Sequence, residues 1–122
     1  MPAAGDAEEY TTLDGSRILE LIRPEREGSR NLSLARAVIE SGRSTLRHRH
    51  AEAEEIYYVL SGQGMLEIGG EVEEVGPGDA RLIVPGAEHR VTATGIEPLV
   101  ILCACSPPYE HNDTQVTEAV RV

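Results

Sequence analysis

Turn chemistry recurs along this chain at intervals too short for helices. The segments "LDGS" (13–16), "EREGSR" (25–30), "ESGRS" (40–44), "SGQG" (61–64), "IGGE" (68–71), "VGPGD" (75–79), "VPGAEH" (84–89), "ATGIEP" (93–98) and "SPPY" (106–109) punctuate it throughout. Between them lie short runs rich in Val, Ile, Leu and Tyr: "ILELI" (18–22), "LSLARAVI" (32–39), "EIYYVL" (55–60), "MLEI" (65–68), "ARLIV" (80–84) and "LVILCAC" (99–105). Strands at roughly 8–12-residue intervals, with no helix-length pattern between them, predict an all-β sandwich or barrel. Only the tail over 113–120 carries helical spacing, enough for a short turn. The tight connections "SGQG" and "IGGE" are expected to join antiparallel hairpins.

The 122 residues suit one domain whose core needs no disulfide or structural metal. Four tyrosines and no Phe or Trp leave the core to aliphatic side chains. The barrel is expected over 10–105, preceded by an acidic arm (1–9) and followed by a polar arm (106–122) that docks on the barrel or on a partner subunit.

The net charge of −10 and the scarcity of aromatic platforms argue against nucleic acid as a partner. The same charge disfavours anionic membrane surfaces. All eleven cationic side chains are arginine, so chemistry that needs a lysine Schiff base is excluded. Cys103 and Cys105 stand i, i+2 on an expected strand, with Cα atoms roughly 6.5–7 Å apart, near the upper limit for a disulfide. They read as reduced, buried thiols of a cytoplasmic protein, plain small core residues. "MPAAGDAEEY" has no apolar stretch of the kind a secretory leader needs, and no run approaches the length of a membrane helix.

The chemistry concentrates in "HRHAEAEEIYYVLSGQG" (48–64). His48 and His50 project from one face of a strand, one pleat apart, and can converge on one cation. If the next strand starts facing inward, Glu55 brings a carboxylate oxygen to the same point. Tyr57 and Val59 then share its face, while Ile56, Tyr58 and Leu60 face the other layer. Downstream, the turn at Pro85-Gly86 can aim His89 into the same cavity. Three imidazoles and one carboxylate suit a divalent Fe, Mn, Ni, Cu or Zn ion and not the oxygen-preferring Ca²⁺ or Mg²⁺. An octahedral ion with four protein ligands keeps two open positions, enough for a bidentate substrate or for substrate and dioxygen.

These residues resemble a known family. The first cupin motif, G-x5-H-x-H-x4-E-x6-G, is met at Gly42, His48, His50, Glu55 and Gly62. Its x6 spacing selects Glu55 over the neighbouring Glu54. The second, G-x5-P-x-G-x2-H-x3-N, is met at Gly78, Gly86 and His89, with Val84 at the proline position and Ala93 at the asparagine position. The resemblance covers about residues 31–105. It implies a double-stranded β-helix (jelly-roll) barrel of six to eight strands, a metal in its mouth held by His48, His50, Glu55 and His89, and a homodimer.

The expected cofactor is one divalent transition metal per chain, and the expected partner is a small-molecule substrate. Tyr57 is the candidate substrate-pocket residue, with a role as an ordinary core tyrosine equally open. His111 is expected to be solvated unless the tail folds over the barrel mouth. Three functions follow: a dioxygenase or oxidase of a small organic molecule, an isomerase of a small sugar or keto compound, or a non-enzymatic small-molecule binding or sensing module.

Overall fold

The computed structural model describes residues 9–12 and 15–118. Among the described residues, eleven strands form two antiparallel sheets that face each other. They are β1 (Glu9–Thr11), β2 (Arg17–Ile22), β3 (Ser33–Ile39), β4 (His48–His50), β5 (Glu54–Ser61), β6 (Gly64–Ile68), β7 (Glu71–Val75), β8 (Ala80–Ile83), β9 (His89–Ala93), β10 (Leu99–Ser106) and β11 (Thr114–Val116). A single helical turn, α1 (Pro24–Glu27), links β2 to β3. One sheet has the order β1-β2-β3-β10-β5-β8 and the other β11-β4-β9-β6-β7. This is the jelly-roll barrel that the turn spacing and the motif resemblance implied, with more strands than the six to eight expected.

Alternation builds the core. On β10, Leu99, Ile101, Cys103 and Cys105 are buried while the residues between them are not. On β5 the buried set is Glu55, Tyr57 and Val59, the expected inward face. Ile56, Tyr58 and Leu60 do not face a second layer; they are exposed on the outside of the six-stranded sheet. The cause is topological: both sheets spend their inner faces on each other, so the outer face of β5 meets solvent. Leu66, Ile83, Leu99, Ile101 and Val91 are almost wholly enclosed. Each such side chain contributes about 1.5–3 kcal/mol by leaving water.

The two glycine-rich connections behave differently. "IGGE" closes the β6–β7 hairpin, with Ile68 opposite Glu71. "SGQG" does not close a hairpin: β5 belongs to one sheet and β6 to the other. It is a corner that carries the chain between sheets, and Gly62 (φ +85°) sits there against the backbone of Pro98 and Leu99.

The barrel also reaches beyond 10–105. Glu9 pairs with Leu19, and β11 pairs with β4 (Thr114 opposite His50, Val116 opposite His48). The tail therefore docks on its own barrel: of the segment 113–120 with helical spacing, the described part continues a short 3-10 turn (His111–Asp113) into a strand, and residues 119–120 lie outside the described residues. Backbone pairing with an open edge outweighs the weak local preference. The Asp113 carboxylate also accepts from the Glu52 and Ala53 amides (2.9 and 3.0 Å), pinning the loop between β4 and β5. Residues 1–8, and with them nearly all of the acidic arm, lie outside the described residues. No described helix is long and apolar enough to cross a membrane.

Candidate metal centre

The register of the sheets assembles the site. His48 and His50 point inward from β4, and His89 opens β9 directly opposite His48. Gly86 (φ +80°) takes the left-handed turn before β9, and its amide donates to the His50 carbonyl at 2.7 Å, so the two motifs are tied together at the site. From the facing sheet, Glu55 enters on β5 beside Cys105 on β10. His48, His50, Glu55 and His89 are all buried.

The three imidazoles form one group whose ligand nitrogens lie within 4.8 Å of one another. Each ring is held by its Nδ1. His48 donates to the Leu46 carbonyl (2.7 Å) and His89 to the Ala87 carbonyl (3.0 Å). A carbonyl only accepts, so in the neutral ring the proton sits on Nδ1 and the lone pair on Nε2. His50 Nδ1 lies 3.1 Å from Thr114 Oγ1, whose own proton goes to the Glu110 carbonyl (3.2 Å). That hydroxyl is left to accept, so His50 takes the same tautomer. Such bonds are how proteins aim imidazoles at a metal.

Glu55 completes the cluster. Its Oε1 lies 3.3 Å from His50 Nε2 and 3.5 Å from His89 Nε2. Glu55 Oε1 and His89 Nε2 are buried and have no hydrogen-bond partner. With neutral rings, lone pairs then face one another in a buried pocket, an arrangement that costs free energy unless a cation sits among them. The donor set therefore fits a divalent transition metal. The other oxygen, Oε2, accepts from the Cys105 thiol at 3.1 Å. Burial raises the Glu55 carboxyl, but once His50 and His89 carry a proton their hydrogen bonds and positive charge more than offset it and hold the group at about 2. Cys105 moves the other way, its thiol pushed up by burial and by the Glu55 charge, so it stays protonated as a donor.

Tyr57 lies inside the cavity with its ring edge-on to His89, centroids 5.8 Å apart. Cys103 and Cys105 are reduced and buried as expected, and Cys103 is a core residue whose cluster also lines the cavity; Cys105 does more than fill the core, because its thiol touches Glu55. His111 is exposed, yet the tail does fold across the mouth. Tyr109 sets its ring edge-on to His50 (5.8 Å), donates its amide to Ser33 Oγ (2.8 Å) and meets His111 Nδ1 with its hydroxyl (3.1 Å). Sequence reasoning missed Thr114, Tyr109 and Asp113. Only "SPPY" gave a cue, as a turn; the contacts depend on the tail docking, which has no linear signature.

Residues 35–105 match the family described as "Cupin domain". An uncharacterized protein of Methanocaldococcus jannaschii is 43% identical over 109 residues, spanning 89% of this chain and 87% of that protein. Among solved structures, the polyketide cyclase RemF of Streptomyces resistomycificus superposes with a TM-score of 0.80 at 23% identity, over 98% of this chain and 86% of RemF. A candidate sugar phosphate isomerase from Acidithiobacillus ferrooxidans superposes with a TM-score of 0.68 at 27% identity, over 83% of this chain and 67% of that protein.

Proposed function

The chain belongs to the cupin family, and from that premise we propose that it is a metal-dependent enzyme of a small oxygenated organic molecule, with dioxygenase or oxidase chemistry as its first reaction class. One observation carries this reading: four donors converge in a buried pocket, and two of them, Glu55 Oε1 and His89 Nε2, have no hydrogen-bond partner. A divalent Fe, Mn, Ni, Cu or Zn ion would supply Lewis acidity there and, if redox-active, electron transfer to an oxidant.

The chain's own residues do the rest. His48, His50 and His89 present Nε2 because Leu46, Thr114 and Ala87 occupy their Nδ1 atoms. The Cys105 thiol holds Glu55 Oε2 and so turns Oε1 toward the histidines. Tyr57 offers its phenol to a molecule bound beside His89, and Tyr109 shields the histidines from the open side. The test is turnover: oxygen consumption by the iron-loaded protein supports the oxidase class. The isomerase reading draws on the 27% identity with the Acidithiobacillus protein, and anaerobic turnover on zinc would favour it. Small-molecule binding that survives metal removal would favour the non-enzymatic reading.

Acid should strip the metal through the imidazoles. Beside protonated His50 and His89 the Glu55 carboxyl is held at about 2, so it stays ionised while the imidazoles gain their protons. The histidines must be neutral to bind, so occupancy is expected to fall as pH drops below about 6. Metal content measured after equilibration across this range checks it; content that stays constant down to about pH 4.5 would contradict it.

A homodimer, the assembly the resemblance implies, would use the exposed apolar face of β5 and β8. Ile56, Tyr58 and Leu82 are exposed, with Ile56 opposite both Leu82 and Ala104 and Tyr58 opposite Leu102. With a net charge of −10, two copies repel wherever carboxylates meet, and this apolar face is the place where they need not. Sedimentation equilibrium should give a dimer for the native chain and a monomer for Tyr58→Arg. A native monomer at about 50 μM, well above the dissociation constant of a standard-sized interface, would sink the proposal.

A further inference from the structure

The charge of the ligand can be read from what the cavity lacks. The enclosed space above the histidines is about 40 Å³, room for about three waters. Its walls are mainly apolar, with Ile18, Ile39 and Ile101 among them, and hydroxyls such as Ser33 and Thr45 supply neutral hydrogen bonds. The charged residues on its wall besides the histidines are Glu20 and Glu55. None of the described arginines lines it. Several are committed elsewhere, Arg47 and Arg90 to Glu67 and Arg81 to Glu73.

The approach is no more hospitable to anions. Tyr10, Glu20 and Tyr109 line both the inner cavity and an open outer cleft, so they frame the passage between the two. In the outer cleft Glu20, Glu25 and Glu110 face Arg23 and His111, and Arg23 is paired with Glu20 at 3.0 Å.

We infer that the site takes a small ligand that is neutral or carries a single negative charge, chelates through two oxygens and has an apolar body, and that it rejects phosphorylated and dicarboxylate compounds. This rests on the metal-centre reading above. A divalent ion beside one carboxylate leaves one positive charge, which a monoanion balances. A dianion would leave an uncompensated charge in a largely apolar pocket that offers it none of the described arginines, the situation that proteins avoid.

The test titrates metal first and ligand second. Manganese or zinc binding to the purified chain is measured by calorimetry. Failure to load either ion overturns the metal-centre reading, and the ligand inference falls with it. The loaded protein is then titrated with matched probes: acetohydroxamate against oxalate, and glycolate against phosphoglycolate. Each affinity is divided by that compound's affinity for the free ion. After this correction the less charged member of each pair, acetohydroxamate or glycolate, should bind at least about tenfold more tightly than its polyanionic counterpart. Equal or tighter binding of oxalate or phosphoglycolate to a loaded protein would overturn the ligand inference while leaving the metal centre standing. So would a loaded protein that binds neither acetohydroxamate nor glycolate.

Discussion

Alanine in place of His89 should leave a folded barrel with at least about 100-fold weaker affinity for divalent transition metals. The size follows from geometry. His89 is completely enclosed, its Nε2 lies 3.5 Å from Glu55 Oε1, and its ring is held from behind by the Ala87 carbonyl. Losing an outer partner of a metal-binding histidine already costs about 10–100-fold, so loss of the ligand itself costs at least the upper end of that range. The fold should survive because the backbone of β9 keeps its pairing with β6 and β4. The variant also loses a buried nitrogen that had no partner, which offsets part of the cavity it leaves. Metal content by elemental mass spectrometry, read beside far-ultraviolet circular dichroism, checks both halves. Undiminished metal would remove His89 from the site; an unfolded variant would make the metal structural.

Alanine at Gly62 should be the most destabilising single-methyl change in the barrel. A Cβ there would lie 2.4 Å from the Pro98 carbonyl oxygen and 2.8 Å from Leu99 Cα. Both contacts are with backbone, so no side chain can swing aside. The left-handed conformation (φ +85°) adds about 1–2 kcal/mol for any residue with a Cβ. Relief requires moving the corner away from β10, whose first residue, Leu99, is fully buried. The expected cost is about 3 kcal/mol or more, a fall in Tm of more than about 10 °C for a domain of this size. Gly70 is the control. It is also left-handed (φ +88°), but a Cβ there meets nothing within 4 Å. Gly70→Ala should cost only the conformational part. Equal losses in the two variants would mean that the Pro98 contact is unimportant.

Gly62 also shows how legible the molecule was in its sequence. As the last residue of the first motif it was located correctly, but the connection it sits in was expected to be a hairpin. Turn chemistry announces that the chain bends; it does not say whether the next strand stays in the same sheet. That choice depends on which apolar faces meet, a long-range matter. The inward set Glu55, Tyr57 and Val59 was readable because alternation is strictly local, and burial follows it. The opposite face was misjudged for the reason that governs the corner: pattern separates two faces without saying which layer covers each. His48, His50 and His89 were legible as one group because the motifs fix both residue type and spacing, and the structure brings the three together. Cys105 and Thr114 escaped because their roles come from cross-strand partners, Glu55 and His50, about 50 and 64 residues away in the chain.

The same distinction explains the tail. Nothing in "SPPYEHNDTQ" marks it as part of the barrel. Its role appears only once Thr114 stands opposite His50 and Asp113 caps the amides of Glu52 and Ala53. The segment that reads as an appendage therefore supports the loop between the first two motif histidines and Glu55, and it sets the tautomer of His50.

The most direct measurement is the metal content of the native chain, purified without tag or chelator and quantified by elemental mass spectrometry. The account predicts about one equivalent of Fe, Mn, Ni, Cu or Zn per chain. Near-zero content that added divalent ions fail to restore would contradict it, because His48, His50, His89 and Glu55 would then converge on nothing.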